Sequence, residues 1–284
     1  MDQFASLKLA IAGSRYGQGD SRLAKYAREI GLAAFSDVLD RLSAEDLGRV
    51  SAEAETLAEQ GVSAVLLGSN EYPTSLAEMR NAPPVLFYRG SPELLNAPGI
   101  GMCGSRNASE EGIKAAIACG QVAAERNLVV ISGYARGVDM STHTSALASG
   151  GTTIVVLPEG ITRFHVKRGA FADVWDPKRA LVVSQFAPTR PWSAGAAMAR
   201  NNVIIGLSLA LVVVEAGEKS GTLAAGSTAL RLNRRVITLE FAHTPPGNSV
   251  LLRRGAVPAR DRAELIDRLA QVVDRPGGSQ LLML

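Results

Sequence analysis

Three short segments of this chain combine glycine, a hydroxyl side chain and arginine. They are Gly104-Ser105-Arg106, Ser132-Gly133-Tyr134-Ala135-Arg136-Gly137-Val138-Asp139, and Glu215-Ala216-Gly217-Glu218-Lys219-Ser220-Gly221-Thr222. Glycine lets a backbone approach a ligand closely, serine and threonine supply hydroxyls, and arginine presents a planar charged fork that fits phosphate. If a helix begins near Ser220, its first amides also point at an anion. Arg200-Asn201-Asn202 adds a further charge and two amides. The shared chemistry is anion binding, with no group placed to break a bond.

Each segment also has an ordinary structural reading. Gly104-Ser105-Arg106 serves equally as a turn. Asp139 reads as a helix N-cap, with His143 four residues on along the same face and able to bond it. Arg136 suits an ion pair with Asp139 or Glu215, and Ser220-Gly221-Thr222 suits a plain helix start. Taken together at strand ends, the segments favour a site, because glycine and arginine in a buried sheet are costly without a use.

Several enzyme classes lack their motifs. The chain has no Gly-Lys-Ser/Thr phosphate loop, no GxGxxG after Gly104, and no Gly-x-Ser-x-Gly nucleophile elbow. His143, His165 and His243 are far apart, and Cys103 and Cys119 form no CxxC pair. The expectation is therefore no catalytic residue, no metal and no cofactor. Aromatic residues make up 5% of the chain, which argues against a reader built on rows of stacking rings.

The elements that must carry these segments follow from hydrophobic periodicity. Over the first eighty residues the pattern is mainly helical: Ala24–Leu42, then Ala44–Glu59 with Ser43 as cap, and a short strand at Val62–Leu67. Asn81-Ala82-Pro83-Pro84 breaks the chain before a strand at Val85–Tyr88. From about residue 99, strands alternate with helices. Strands are expected at Ile100–Cys103, Leu128–Ile131, Thr153–Leu157, Leu181–Ser184, Leu209–Val214 and Val236–Leu239. Helices fall at about Glu110–Arg126, Met140–Ala148, Ala194–Leu207, Thr222–Leu232 and Asp261–Val273. Strands that are apolar on both faces and separated by helices predict a doubly wound, mostly parallel, Rossmann-like α/β sheet. Ligands of such sheets bind beyond the carboxyl ends of the strands, where the three segments lie. The expected division is a mainly helical domain over 1–80, a Rossmann-like domain over 81–257, and a helix and tail over 258–284, with Arg275-Pro276-Gly277-Gly278 as loop.

Charge agrees with this division. The 284 residues hold 30 Lys+Arg and 27 Asp+Glu, and 24 of the basic residues are arginine. Residues 1–98 are net −4 and residues 99–284 net +7, so the later part suits an anionic partner. The start Met1-Asp2-Gln3 carries no basic segment before an apolar one, and the apolar run Val203–Val214 is too short to span a bilayer. A soluble, cytoplasmic protein is expected.

With these residues in view, the chain resembles the DNA-processing family DprA/Smf. The likeness rests on Gly104-Ser105-Arg106, on Ser132 through Asp139 with His143 and Ala146-Leu147, and on Gly150-Gly151-Thr152-Thr153-Ile154-Val155-Val156-Leu157. It continues through Arg200-Asn201, Gly206-Leu207-Ser208, Val213-Val214-Glu215-Ala216 and Ser220-Gly221-Thr222-Leu223. Upstream, Tyr72-Pro73, Pro83-Pro84-Val85-Leu86 and Arg89-Gly90 resemble the segment before the Rossmann-like domain. The resemblance implies a non-enzymatic protein that holds single-stranded DNA in a positive pocket and loads a RecA-type recombinase in transformation and recombination. It also implies homodimers. The implied phosphate-binding residues are Gly104, Ser105, Arg106, Ser132, Gly133, Ala135, Arg136, Gly137, Asp139, Arg200, Asn201, Ser220, Gly221 and Thr222.

The chain departs from the family pattern in several places. Ile161-Thr162-Arg163-Phe164-His165 replaces an acidic-aromatic-Pro-Asn turn, Asn202 replaces a second arginine, Tyr134 replaces leucine, and Glu240-Phe241 replaces Pro-Gly. Only 28 residues follow Ala256, so a C-terminal winged helix is not expected. The alternative is a nucleotide-binding sensor, or a relative of nucleoside-monophosphate hydrolases, acting in phage defence. Against the hydrolase, Ala225 stands where its catalytic glutamate would be.

Overall fold

The computed structural model describes residues 2–273; the loop expected at Arg275–Gly278 lies outside them. The chain opens with helices α1 (Gln3–Tyr16), α2 (Asp20–Ile30), α3 (Ala33–Asp40) and α4 (Ala44–Glu59). The single helix expected over Ala24–Leu42 is two. Gly31 adopts φ +63° and ends α2, its N–H bonding Ala27 O at 2.9 Å, and a new axis starts at Ala33. Helix α1 escapes the sequence reading. Ser43 caps α4 as expected, accepting from Asp46 N.

After α4 come β1 (Ser63–Leu66), the one-turn α5 (Thr74–Ala77), β2 (Val85–Gly90) and β3 (Gly99–Cys103). Then follow α6 (Glu110–Glu125), β4 (Val129–Ser132), α7 (Val138–Ala148), β5 (Thr153–Val156), α8 (Ala170–Val174) and β6 (Ala180–Ser184). The chain closes through α9 (Ala194–Leu207), β7 (Ala210–Val213), α10 (Gly221–Arg231), β8 (Arg235–Leu239), α11 (Pro246–Arg253), β9 (Val257–Ala259) and α12 (Arg262–Val273). The short elements α5, α8, α11 and β9 carry too few residues to establish a period, and the sequence reading passes over them.

Among the described residues the strands form one sheet in the order β1-β2-β6-β5-β4-β3-β7-β8-β9. Pairs from β6 through β9 are parallel, and β1–β2 and β2–β6 are antiparallel. The result is the expected doubly wound α/β architecture, preceded by a helical N-terminal region. Strand β1 lies before residue 80 and β2 after it, yet both belong to this sheet.

Both faces of the central strands are buried. Ile100, Met102, Val130 and Val212 pack on one side with Cys119 and Val122 of α6, whereas Ile131, Leu211 and Val213 face the other with Val203 and Ile204 of α9. Each such side chain removed from water contributes about 1.5–3 kcal/mol, which is what sets the register. The strand order reverses between β3 and β7. Chain progress runs outward from β3 to β6, then α9 returns it to β7 on the other side of β3. A crevice must open at that reversal, above the carboxyl ends of the strands. No helix of the described residues is long and apolar enough to cross a membrane.

Candidate nucleic-acid interface

Two adjoining cavities occupy this crevice. One, of about 520 Å³, lies over β3 and β7 and is lined by Gly104, Ser105, Asp139, Asn201, Gly221 and Thr222 among others. The other, of about 480 Å³, lies toward β5 and is lined by Tyr134, Arg136, Glu159, Arg163, Phe164 and Lys167 among others. Arg106, Ala135, Trp192 and Arg200 line both, so the two are lobes of one cleft. Arg106, Arg136, Arg163, Lys167 and Arg200 face only the carboxyls of Asp139 and Glu159 among the lining residues. The cleft is therefore positive, and its low-dielectric walls strengthen that field.

The loops are brought together by backbone bonds. The Val138 N–H donates to Ser105 O at 3.2 Å, joining the first two segments. Gly137 permits the contact: its φ is +80°, and a Cβ there would strike Ser105 O and Arg106 O. The third segment is held by Asn248, which is fully buried on α11. Its Oδ1 accepts from Ala216 N at 2.8 Å, and its Nδ2 donates to Val214 O at 2.9 Å and Leu239 O at 2.8 Å. Glu215 points away from the cleft, accepting from the Ser109 N–H and hydroxyl at the start of α6.

Arg200 forms the floor. It projects from the middle of α9 and is only 7% exposed. Its Nε is buried without a hydrogen-bond partner, and its terminal nitrogens crowd Gly133. Burial lowers the guanidinium pKa, and the nearby Asp139 charge opposes that shift. Asp139 shows the mirror image: burial raises its carboxyl, while Arg200 and the Ala135 backbone hold it down. Arg200 nevertheless lines both lobes, so its charge stands at the cleft floor where an anion can approach it.

Several expectations change in detail. Asp139 is not the cap of α7. Gly137 occupies that position, and Asp139 lies within the first turn, where its carboxyl is a counter-charge to Arg200. His143 does not bond it. The buried imidazole donates from Nε2 to Gly133 O at 2.6 Å, and its Nδ1 lies 2.6 Å from the Thr153 hydroxyl oxygen. Burial pushes the ring's pKa down to about 4, against the bond to the Gly133 carbonyl, which raises it. Arg136 pairs with neither Asp139 nor Glu215 but donates to Asn107 Oδ1.

Two hydroxyls read as phosphate donors are already committed. Ser132 donates to Met102 O at 2.6 Å in the buried sheet. Ser220 caps α10, accepting from Leu223 N at 3.1 Å and donating to Gly217 O at 2.8 Å. The Ser105 oxygen accepts from Asn107 N at 3.0 Å, which leaves its own proton for a ligand. Thr222, Asn201 and the exposed Arg106 line the first lobe, and the amides at the start of α10 open on it.

Of the second lobe only Arg106, Ala135, Arg136 and Arg200 are among the expected site residues; its far wall is not. Lys167 donates to Tyr134 O at 2.6 Å and lies 4.1 Å from the centre of the Tyr134 ring. That ring packs on Phe164 and Phe171, with centroids 5.1 and 5.4 Å away. Arg163 and Lys167 lie within or just after the turn that departs from the family pattern. The basic residues there were the available signal.

Comparison with known proteins gives a consistent picture. The family model described as DNA recombination-mediator protein A matches residues 63–270. The DNA processing protein DprA of Streptococcus pneumoniae is 34% identical over 168 residues, covering 59% of this chain and 59% of its own length. An X-ray structure of the Streptococcus pneumoniae protein superposes with TM-score 0.74 at 24% identity, covering 94% of this chain and 98% of that one. The DNA processing protein A of Helicobacter pylori, whose structure concerns its single-stranded DNA binding mode, superposes with TM-score 0.65 at 22% identity, covering 74% and 96%. These two structures share the fold.

Proposed function

This chain belongs to the DNA recombination-mediator protein A family, and from that premise we propose that its basic cleft binds single-stranded DNA without chemical change. The observation that carries the reading is Arg200, a mostly buried cation that lines both lobes of a cleft where cationic side chains outnumber carboxyls. Phosphates would enter the first lobe, between Arg106 and Arg200 on one side and the α10 amides on the other. A single strand fits better than a duplex because the cationic groups lie inside a recess rather than across a broad face. In the same reading the bound strand is handed to a RecA-type recombinase, the protein works as a homodimer in the cytoplasm, and the setting is DNA uptake and recombination.

The nucleotide-hydrolase alternative finds no support in the α10 loop. No acidic residue stands in the first turn of that helix, and Ala225, in its second turn, is buried. A titration of labelled oligo-dT and of the matching duplex, at low and high salt, tests the proposal. Single-strand preference, steep salt dependence and a loss in Arg106→Ala are expected. Equal binding of duplex, or full affinity in Arg106→Ala, would overturn it.

A further inference from the structure

Trp192 stands where the two lobes meet and is 51% exposed. Its loop is not loose. The Gly160 N–H donates to Arg190 O at 2.8 Å, and the Thr162 N–H and hydroxyl both donate to Pro188 O, at 3.1 and 2.7 Å. Arg163 Nε donates to Thr189 O at 3.1 Å, and the Arg190 guanidinium lies 4.8 Å from the Phe186 ring centre. On the other side Ser193 caps α9 by accepting from Ala196 N at 3.1 Å. An indole is thus presented to solvent on a backbone anchored at both flanks, so little ordering entropy remains to be lost when a ligand covers it.

Its neighbours define that ligand. Arg106 and Arg200 line both lobes beside Trp192, so an anion held by them has a flat apolar surface next to it. A nucleotide presents that pairing of phosphate and π-face, and stacking is tolerant of base identity. The lobe beyond Trp192 is walled by Tyr134 and Phe164 and is large enough, at about 480 Å³, for a base.

We propose that Trp192 is the stacking platform for one base of a single strand whose adjacent phosphates lie on Arg106 and Arg200. The inference rests on the single-strand reading above and adds a base subsite to it. It also bears on the low aromatic content: one anchored ring between two lobes replaces a row of them.

The test compares oligo-dT with an abasic deoxyribose-phosphate oligomer of equal length, on the full chain and on Trp192→Ala and Trp192→Phe. Trp192→Ala is expected to weaken oligo-dT binding about 5- to 150-fold and Trp192→Phe far less, with the salt slope unchanged in both. The abasic oligomer is expected to bind the full chain and Trp192→Ala alike. Oligo-dT should quench tryptophan emission in the full chain but not in Trp192→Phe, where Trp175 remains. If Trp192→Ala binds oligo-dT as tightly as the full chain while Arg106→Ala does not, the stacking platform is overturned and single-strand binding stands. If the full chain binds no oligo-dT, both fall.

Discussion

Arg200 and Asp139 flank the same glycine: a Cβ built on Gly133 would collide with the guanidinium of one and the carboxylate of the other. The two charges belong to different helices, α9 and α7, and meet only because Gly133 leaves the space between them. Each moderates the cost of burying the other. The Gly133 carbonyl is held from behind by His143 Nε2 at 2.6 Å, so the backbone itself cannot yield easily.

Gly133→Ala should therefore displace the guanidinium from the cleft floor. Oligonucleotide affinity is expected to fall at least about tenfold, the loss of one charge-assisted contact of about 1.5–3 kcal/mol. Far-UV circular dichroism should be unchanged. An alanine variant with full affinity would show that Arg200 does not need its place beside Gly133.

The imidazole of His143 makes stability depend on pH. Its folded pKa is depressed from 6.5 to about 4, so between those values the unfolded chain binds a proton that the native state does not. The stabilising effect of the neutral ring is complete above pH 6.5 and is lost as pH falls toward 4, at up to about 1.4 kcal/mol per pH unit. Asp139 acts in the opposite direction, because a raised carboxyl pKa makes the native state bind more protons above pH 3.8. Urea melts of the full chain and of His143→Gln, compared across this range, separate the two. The difference between the curves should grow with pH and level off above 6.5. A constant difference would mean that the ring titrates normally.

Much of this arrangement was legible beforehand because it depends on local rules. Glycine and arginine after alternating strands locate the cleft, since parallel strands present all their carboxyl ends at one edge. What was not legible depends on partners distant in sequence. Helical spacing puts His143 beside Asp139, but the ring turns instead to Thr153 on β5, a neighbour only once the sheet has formed. Arginine is normally a surface residue, so nothing in Arg200-Asn201-Asn202 announces that its charge is buried. Trp192 lies in a run without periodicity, and its exposure follows from hydrogen bonds to the 160–163 turn. The Gly31 break was within reach, because a glycine between helical runs is a common C-terminal signal.

Arg106 and Arg136 should behave differently although both lie on cleft loops. Arg106 is exposed and makes no hydrogen bond among the described residues, whereas Arg136 is engaged by Asn107. Replacing Arg106 with alanine should reduce the slope of log K against log salt by about 0.7, the release of one counterion from a single strand. Arg136→Ala should change the slope less, because its charge is already directed along the loop. Fluorescence anisotropy at four or more salt concentrations measures both. Equal changes in the two variants would assign Arg136 a full phosphate contact.

Asn248 tests whether the third loop must be held to work. The side chain touches no part of the cleft, yet it satisfies Ala216 N, Val214 O and Leu239 O. Asn248→Ala leaves three buried backbone groups unpaired, at about 1–3 kcal/mol each, less whatever water recovers. Asn248→Asp keeps the acceptor for Ala216 N but loses both donations and adds a buried charge. Ser220→Ala, by contrast, removes only the α10 cap, at about 1 kcal/mol. Both Asn248 variants should lower the unfolding midpoint well below that of Ser220→Ala. They should also weaken oligonucleotide binding under conditions where they remain folded, because the α10 amides lose their aim. If binding survives while stability falls, the loop holds its shape without Asn248 and the residue supports the fold alone.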